Sequence, residues 1–384
     1  MSRKVCIVSG TRAEYGILKS LIRCISRSPT LDLQIVATGT HTIPEFGYTI
    51  NDIISDGFHV DAEVPMIVSG NSKQSMAISI GVGIVAMTQT FSNLKPDIVV
   101  VLGDRFEILS AAIAAVYSGY VLAHLSGGDT LSAGYDEYTR HAITKISHIH
   151  FPFTQICAKR IIQMGEDPGK VFAVGSPAID TILHAPLANS SEIKFKYHIP
   201  KNCDYCLIVQ HPISTNPLDI RKEMEAILEA VDTLNIYTVI IYPNADPGSY
   251  DIIELIEAYV TSHHNAVFCR SVPFEDYLAL MKSASVMVGN SSSAILEAPS
   301  FGLPAINVGT RQEGREQGKN IINVPPEIIA IQSAIHKAIS DENFREIVAC
   351  SENPYGDGCS SERIVKILED ITIDGNLLRK QIFY

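Results

Sequence analysis

Short runs of apolar residues that show no polar alternation recur along this chain, and each gives way at once to a glycine or a small polar residue. Val5 to Ser9 is the first; it ends in Gly10-Thr11-Arg12, after which Ile17, Leu18, Leu21 and Ile22 fall at helical spacing. A strand that is apolar on both faces must be covered on both faces, and interleaved helices supply that cover, so the pattern predicts a parallel α/β sheet. Leu33–Thr38, Asp97–Leu102, Tyr120–Leu125 and Val171–Val174 continue it. A stretch rich in Pro, Asn and Ser from Ala185 to Lys201 interrupts it. It then restarts with Tyr205–Gln210, Thr238–Tyr242, Ala266–Cys269, Val286–Gly289 and Ala305–Val308. With 384 residues to distribute, the chain is expected to hold two α/β domains joined by a linker.

In parallel sheets ligands bind beyond the carboxyl ends of the strands, so the residues that follow each run carry the information. Here they are polar or charged almost every time: Thr11 and Arg12, His41, Asp104 and Arg105, Asp129, His211, Asn244, Ser291 and Ser292, Arg311. Two such sheets are expected to face each other across a cleft suited to a polar, charged ligand. The formal net charge of −12 argues against general nucleic-acid binding or adhesion to an anionic membrane, so any phosphate site has to be built locally. Apolar residues at 46% allow a sizeable core and exclude a disordered chain.

The eight cysteines are scattered, several inside apolar runs, which reads as a reduced, cytoplasmic protein. Cys203 and Cys206 form a solitary CxxC that lacks a second ligand pair, and His148-x-His150 and His263-His264 lack metal-site spacing; no protein-bound metal is expected. The apolar stretch Ala77–Met87 is about half of the roughly 20 residues that a spanning helix needs, so no membrane segment is expected.

Three motifs carry chemistry. Gly289-Asn290-Ser291-Ser292-Ser293 sets a small polar turn between a strand and a helical run, where backbone N–H groups and hydroxyls can approach a phosphate; the bland reading is a helix cap by Ser292 or Ser293. Glu297 follows where a carboxylate can hold a ribose hydroxyl, and Arg311 follows the next strand. Gly103-Asp104-Arg105 and Gly127-Gly128-Asp129 end two runs of the first half, so Asp104 and Asp129 are expected to converge above one sheet edge, as acid/base work at a sugar carbon requires. The alternative for Asp104 is an ion pair with its neighbour or a helix cap. Tyr135-Asp136-Glu137-Tyr138-Thr139-Arg140-His141 reads as a charged helix start.

Taken together and in this order, these motifs resemble the hydrolysing UDP-N-acetylglucosamine 2-epimerases of sialic-acid synthesis, from Thr11-Arg12-Ala13-Glu14-Tyr15-Gly16 through Gly356-Asp357-Gly358. The resemblance implies an α/β fold of GT-B type, two Rossmann-like doubly wound domains facing across a cleft. It places an acid/base domain at 1–184, a UDP-binding domain at 185–358, and a helix at 359–384 that returns to the first domain. It further implies a UDP-sugar ligand, a homodimer and no cofactor. By motif, Arg12 looks like the diphosphate-contacting arginine and His41 like the sugar-pocket histidine. Asp104 with Arg105 matches the catalytic GlyAspArg, Asp136 with Glu137 the acidic pair before ArgHis, and His211 the histidine near the glycosidic oxygen. Asn244, Ser291, Ser292, Glu297 and Arg311 match positions that hold phosphate and ribose, and Val272 with Phe274 the segment lining the uracil pocket.

One departure stands out. Family members often write HisIleGlu before GlyGly, with that glutamate catalytic, whereas this chain has His124-Leu125-Ser126 and then Asp129. Either Asp129 takes over the role, or the substrate is a modified sugar such as the 2,4-diacetamido-trideoxy relative. The implied reaction removes the C2 proton and UDP to give a glycal, which water converts to N-acetylmannosamine. Rival readings are a non-hydrolysing 2-epimerase, a retaining GT-B glycosyltransferase, and a UDP-sugar sensor without turnover.

Overall fold

The computed structural model describes residues 2–68, 73–130, 135–184, 186–212, 220–243, 248–270 and 272–383, the side chains of Phe46 and Tyr135 excepted. The chain divides into two compact units. The first comprises Met1–Asp129, Tyr135–Thr181 and Tyr355–Tyr384, the second Thr130–Gly134 and Ile182–Pro354.

In the first unit six strands, β1 (Arg3–Ser9), β2 (Leu31–Thr38), β3 (Ala62–Val64), β4 (Ile98–Leu102), β5 (Val121–Leu125) and β6 (Ile149–Phe151), form a parallel sheet in the order β3-β2-β1-β4-β5-β6. The second unit repeats the plan with β7 (Tyr205–Val209), β8 (Tyr237–Ile241), β9 (Ala266–Cys269), β10 (Val286–Gly289), β11 (Ala305–Val308) and β12 (Ile321–Val324), ordered β12-β11-β10-β7-β8-β9. In both, the order reverses beside the first strand. That leaves a switch point between β1 and β4, and another between β7 and β10, where diverging loops open a crevice. β4, β5 and β7 are buried at every residue, which is why their sequences show no alternation.

The expected strands appear, with one correction. Val171–Val174 is not a strand: Val171 makes a single bridge to His150. Phe172 and Val174 donate to the His150 and Pro152 carbonyls, but Pro152 has no N–H with which to return the bond, so no ladder forms. Conversely β3, β6 and β12 were not expected; at three or four residues each they are too short to stand out from loops.

Ala77–Met87 lies in a helix of 22 residues, Lys73–Leu94, which is long and apolar enough to cross a membrane by length and composition. Ser75, Ser79, Gly83, Met87 and Phe91 nevertheless form a buried stripe at i, i+4 spacing, and the helix packs on Phe106–Tyr117. Gly83 permits this approach, since a Cβ there would stand 2.9 Å from Ser110. Farther along the chain, Ser360–Asp370 packs on Arg12–Arg27, and Asp180 accepts from the Ser360 and Ser361 N–H groups at 2.9 and 2.6 Å.

Gly289 ends β10 with φ +131°, and a Cβ would lie 2.2 Å from the Val209 carbonyl oxygen. Gly289→Ala is therefore expected to cost about 3 kcal/mol or more, through backbone strain plus a clash with backbone. Gly119→Ala, at φ +82° with nothing within 4 Å, should cost only about 1 kcal/mol. Urea unfolding of both variants checks this, and equal losses would remove the close approach of β10 to β7 as the reason for the glycine.

Candidate functional site

The first unit carries its polar groups where β4 and β5 end. Asp104 follows the Gly103 turn after β4, and Asp129 follows the two glycines after β5. Both carboxylates pair with one guanidinium, that of Arg140: Nη2 meets Asp104 Oδ2, and Nη1 lies 3.2 Å from Asp129 Oδ2. Arg140 sits on the helix Tyr135–Ile146 with its side chain only 4% exposed, so it cannot trade these partners for water. Its Nη1 also donates to the Ser126 carbonyl at 3.2 Å. Ser126, in left-handed backbone at φ 65°, thus contributes through its carbonyl rather than its hydroxyl. Asp104 and Asp129 are thus brought together on one guanidinium, and Asp104 pairs with Arg140 rather than with its neighbour Arg105. Arg105 forks onto Glu107 instead, at 3.2 and 3.3 Å. On the same helix as Arg140, Asp136 and Glu137 occupy the first turn, and Glu137 pairs with His141 at i, i+4 and 3.1 Å.

At the neighbouring switch point, Thr11 and Glu14 form a capping box at the start of Arg12–Arg27. Glu14 Oε2 accepts from the Gly10 and Thr11 N–H groups at 2.7 and 3.0 Å. Burial pushes its carboxyl up to about 8, with Arg105 opposing and Glu107 reinforcing the rise. Arg12, one residue into the helix, pairs with Asp52 at 3.1 Å and is partly exposed. His41 is a different case. It is fully buried, with Nε2 2.9 Å from Ser9 Oγ and Nδ1 2.7 Å from Thr49 Oγ1, so both ring nitrogens are committed to the fold. Burial lowers its pKa to about 4.

In the second unit the turn after β10 is organised by Asn290. Its side chain clamps the backbone of His211, accepting from the N–H at 2.8 Å and donating to the carbonyl at 2.9 Å. Its own carbonyl accepts from Arg311 Nη1 at 3.0 Å and Gln312 Nε2 at 2.7 Å. One asparagine thereby ties the ends of β7, β10 and β11 together. Ser291 and Ser292 follow, and Ser292, at the helix N-cap position of Ser293–Leu296, makes no side-chain cap bond. The bland reading of the turn does not hold for that hydroxyl. Burial pushes Glu297 up to about 7, with Arg315 opposing, and its Oε2 is buried with no hydrogen-bond partner among the described residues. His211 is buried and brought to about 3 by burial first and Arg311 second, so its imidazole is neutral. Val272 and Phe274 lie half-buried at the start of Phe274–Ser283. Asn244 lies outside the described residues.

Arg140, Glu14 and Asn290 went unassigned in the sequence, although each sits inside a motif quoted there. Thr-x-x-Glu was the available signal for the capping glutamate, whereas Arg140 meets Asp104 across 36 residues of sequence, which no local spacing announces. Asn290 carried no signal, because its clamp reaches across 79 residues of sequence. Among the described residues no cluster of His, Cys, Asp or Glu could hold a metal ion.

Residues 23–369 match the family model for UDP-N-acetylglucosamine 2-epimerase. A Legionella pneumophila protein named UDP-N,N'-diacetylbacillosamine 2-epimerase (hydrolyzing) is 34% identical over 99% of both chains. Polysialic acid biosynthesis protein P7 of Escherichia coli is 37% identical over 96% of this chain and 94% of its own. The crystal structure of UDP-GlcNAc 2-epimerase from Neisseria meningitidis, bound to UDP-GlcNAc, superposes with a TM-score of 0.81. It is 22% identical and covers 95% of this chain and 99% of its own. The fold is thus of GT-B type.

Two outcomes are expected. Arg140→Met leaves the buried Asp129 beside the half-buried Asp104 with no cation between them and should cost about 3 kcal/mol, part of it recovered by adding Asp129→Asn; wild-type urea stability in Arg140→Met would show that the guanidinium supports neither. The second concerns pH. His41 and His148 at about 4 and His124 and His211 at about 3 stay neutral in the fold, while the unfolded chain titrates at about 6.5. Below that value the unfolded chain binds more protons, so this contribution is complete above pH 6.5 and is lost as pH falls towards 3. Glu14 and Glu297, raised to about 8 and 7, run the other way, stabilising fully below about 4.5 and fading as pH rises through 7 to 8. Four histidines outweigh two carboxyls on the acid side, so the thermal midpoint should peak near pH 6.5. Glu297→Gln should flatten the alkaline side, and an unchanged alkaline fall would take Glu297 out of the balance.

Proposed function

We propose that this chain, which belongs to the UDP-N-acetylglucosamine 2-epimerase family, is a hydrolysing 2-epimerase that turns UDP-N-acetylglucosamine into N-acetylmannosamine and UDP. The observation that carries the reading is the pair Asp104 and Asp129, held on one buried guanidinium at the ends of adjacent strands. Inversion at C2 needs one group to take the C2 proton from one face and another to deliver a proton to the opposite face, and the two carboxylates at the ends of adjacent strands are our candidates for those roles. Elimination breaks the C2–H and C1–O bonds and leaves a glycal, the electron pair departing with UDP. Water then adds its oxygen at C1 while C2 regains a proton in the inverted configuration.

The roles follow from the groups. Asp104 is assigned the first proton transfer and Asp129 the second, with the Glu137–His141 pair as the hydration base. Asp129 thereby fills the place left by Ser126, whose carbonyl is spent on Arg140. In the second unit, the Ser291 and Ser292 hydroxyls, Arg311 and the neutral His211 are assigned to the diphosphate, which gains charge as C1–O breaks. His211 acts there as a neutral hydrogen-bond donor. Glu297, buried with one oxygen unused, is assigned to the ribose. Arg12, partly exposed at the start of its helix, is assigned as a further cation for the diphosphate.

A second reading, the same reaction on UDP-2,4-diacetamido-trideoxyglucose, is favoured by the name and the 34% identity of the Legionella relative. The C4 and C6 substituents stand apart from the C1–C2 chemistry, so both readings use the same groups.

NMR of the purified protein with each UDP-sugar, in deuterium oxide and in oxygen-18 water, tests the reading. Free UDP should appear, the released mannosamine-type sugar should carry deuterium at C2, and the oxygen label should enter at C1. A UDP-linked product without free UDP identifies a non-hydrolysing epimerase, and UDP binding without turnover a sensor. Protium fully retained at C2 rules out elimination with solvent exchange. Asp104→Asn should lower turnover by roughly two to four orders of magnitude.

A further inference from the structure

The first unit contains a chain of hydrogen bonds that starts at the C-terminal tail and ends on the turn bearing Asp104. Lys380 Nζ donates to the Thr144 carbonyl at 3.1 Å and to the Ser147 carbonyl, and pairs with Glu166 Oε2 at 2.5 Å. These carbonyls close the helix Tyr135–Ile146 that carries Arg140, so the lysine places a cation at its C-terminal end. Glu166 is itself buried and is also held by Lys145 at 2.6 Å and His150 at 3.1 Å. The Thr144 hydroxyl stands 3.2 Å from His124 Nδ1, and His124 Nε2 stands 2.8 Å from the Gly103 carbonyl. Asp104 is the next residue.

The partners decide the proton positions. A carbonyl only accepts, so His124 carries its hydrogen on Nε2 and accepts the Thr144 hydroxyl proton at Nδ1. Both side chains are fully buried. Burial holds the imidazole neutral, with a pKa of about 3, so it gains no second proton across the working range. Gly127 leaves the space this arrangement needs, because a Cβ there would come within 2.9 Å of Thr144 Oγ1 and 3.1 Å of His124 Nδ1. Gly103 is further fixed by its N–H on the Leu125 carbonyl at 3.0 Å.

We propose that His124 is a positioning residue for Asp104, fixing the Gly103 turn through its Nε2–H, and that Lys380 in the C-terminal tail is the outer anchor of this arrangement. The proposal deepens the reading above, since the role of Asp104 rests on it. It has a structural half that can be tested without turnover.

The test uses the full chain as wild type, His124→Phe, His124→Gln and Lys380→Met. Glutamine can place an amide N–H where Nε2–H stands, and phenylalanine cannot. Long-range nitrogen-15 NMR of the histidine rings should show His124 as the neutral Nε2–H tautomer from pH 5 to 8, with its ring signals displaced in Lys380→Met. Turnover of the UDP-sugar should fall roughly 10- to 100-fold in His124→Phe, with KM and the calorimetric Kd for UDP within about twofold, the signature of a misplaced reacting group. His124→Gln should recover to within about threefold of wild type. An Nδ1–H or charged His124 overturns the proposal, as do ring signals indifferent to Lys380→Met. Normal turnover in folded His124→Phe, or a glutamine variant no better than the phenylalanine one, overturns it as well. Absence of turnover in the wild type counts against the functional reading alone, because the NMR arms still decide the hydrogen-bond chain.

Discussion

Parallel pairing of strands that are buried on both faces leaves a chain almost no place for polar side chains except the strand ends. Every residue of β4, β5 and β7 is buried, so the first position at which β4 can present a carboxylate is beyond its last ladder bond, at Asp104. The switch points then select among those ends. Thr11, Arg12, Asp104 and Arg105 flank the reversal beside β1, and His211, Asn290, Ser291 and Ser292 flank that beside β7. The positions of the candidate groups follow from the sheet order before any particular chemistry is considered.

The long strands were legible because their apolar runs are continuous, whereas the polar, proline-containing stretch expected to be a linker belongs to the second unit, where Ser190–Lys196 forms a helix with Ile193 buried. What escaped were the pieces whose existence depends on a neighbour. β3 and β12 are edge strands of three and four residues, ordered by the β2 and β11 ladders they complete. Val171–Val174 failed for the same reason in reverse: its apolar run suits a strand, but Pro152 on the facing chain cannot donate. No local pattern encodes whether a partner has an N–H to give.

The site divides in the same way. Asp104 and Asp129 were legible as ends of adjacent runs, yet the group that orders them, Arg140, lies on a helix that sequence reading places only approximately. His41 shows the same limit from the other side. As a histidine following a strand it matches a ligand-facing pattern, but the hydroxyls of Ser9 and Thr49 occupy both its nitrogens, and they lie 32 and 8 residues away. Spacing within a motif predicts contacts along one element and says little about those that reach across elements.

Charge sets the last constraint. A net charge of −12 would repel the nucleotide diphosphate proposed above at long range, so its affinity would have to come from short-range donors. The second unit offers a set of that kind: hydroxyls at Ser291 and Ser292, a neutral imidazole at His211, and Arg311, whose guanidinium is steadied by the Asn290 carbonyl. The clamp from Asn290 to the His211 backbone keeps these donors in place before a ligand arrives, which lowers the ordering cost of binding. Neutral donors also lose less to added salt than a field of surface lysines. An acidic protein built this way can recognise an anion without becoming a general binder of polyanions, because the attraction is confined to the few ångströms over which hydrogen bonds act.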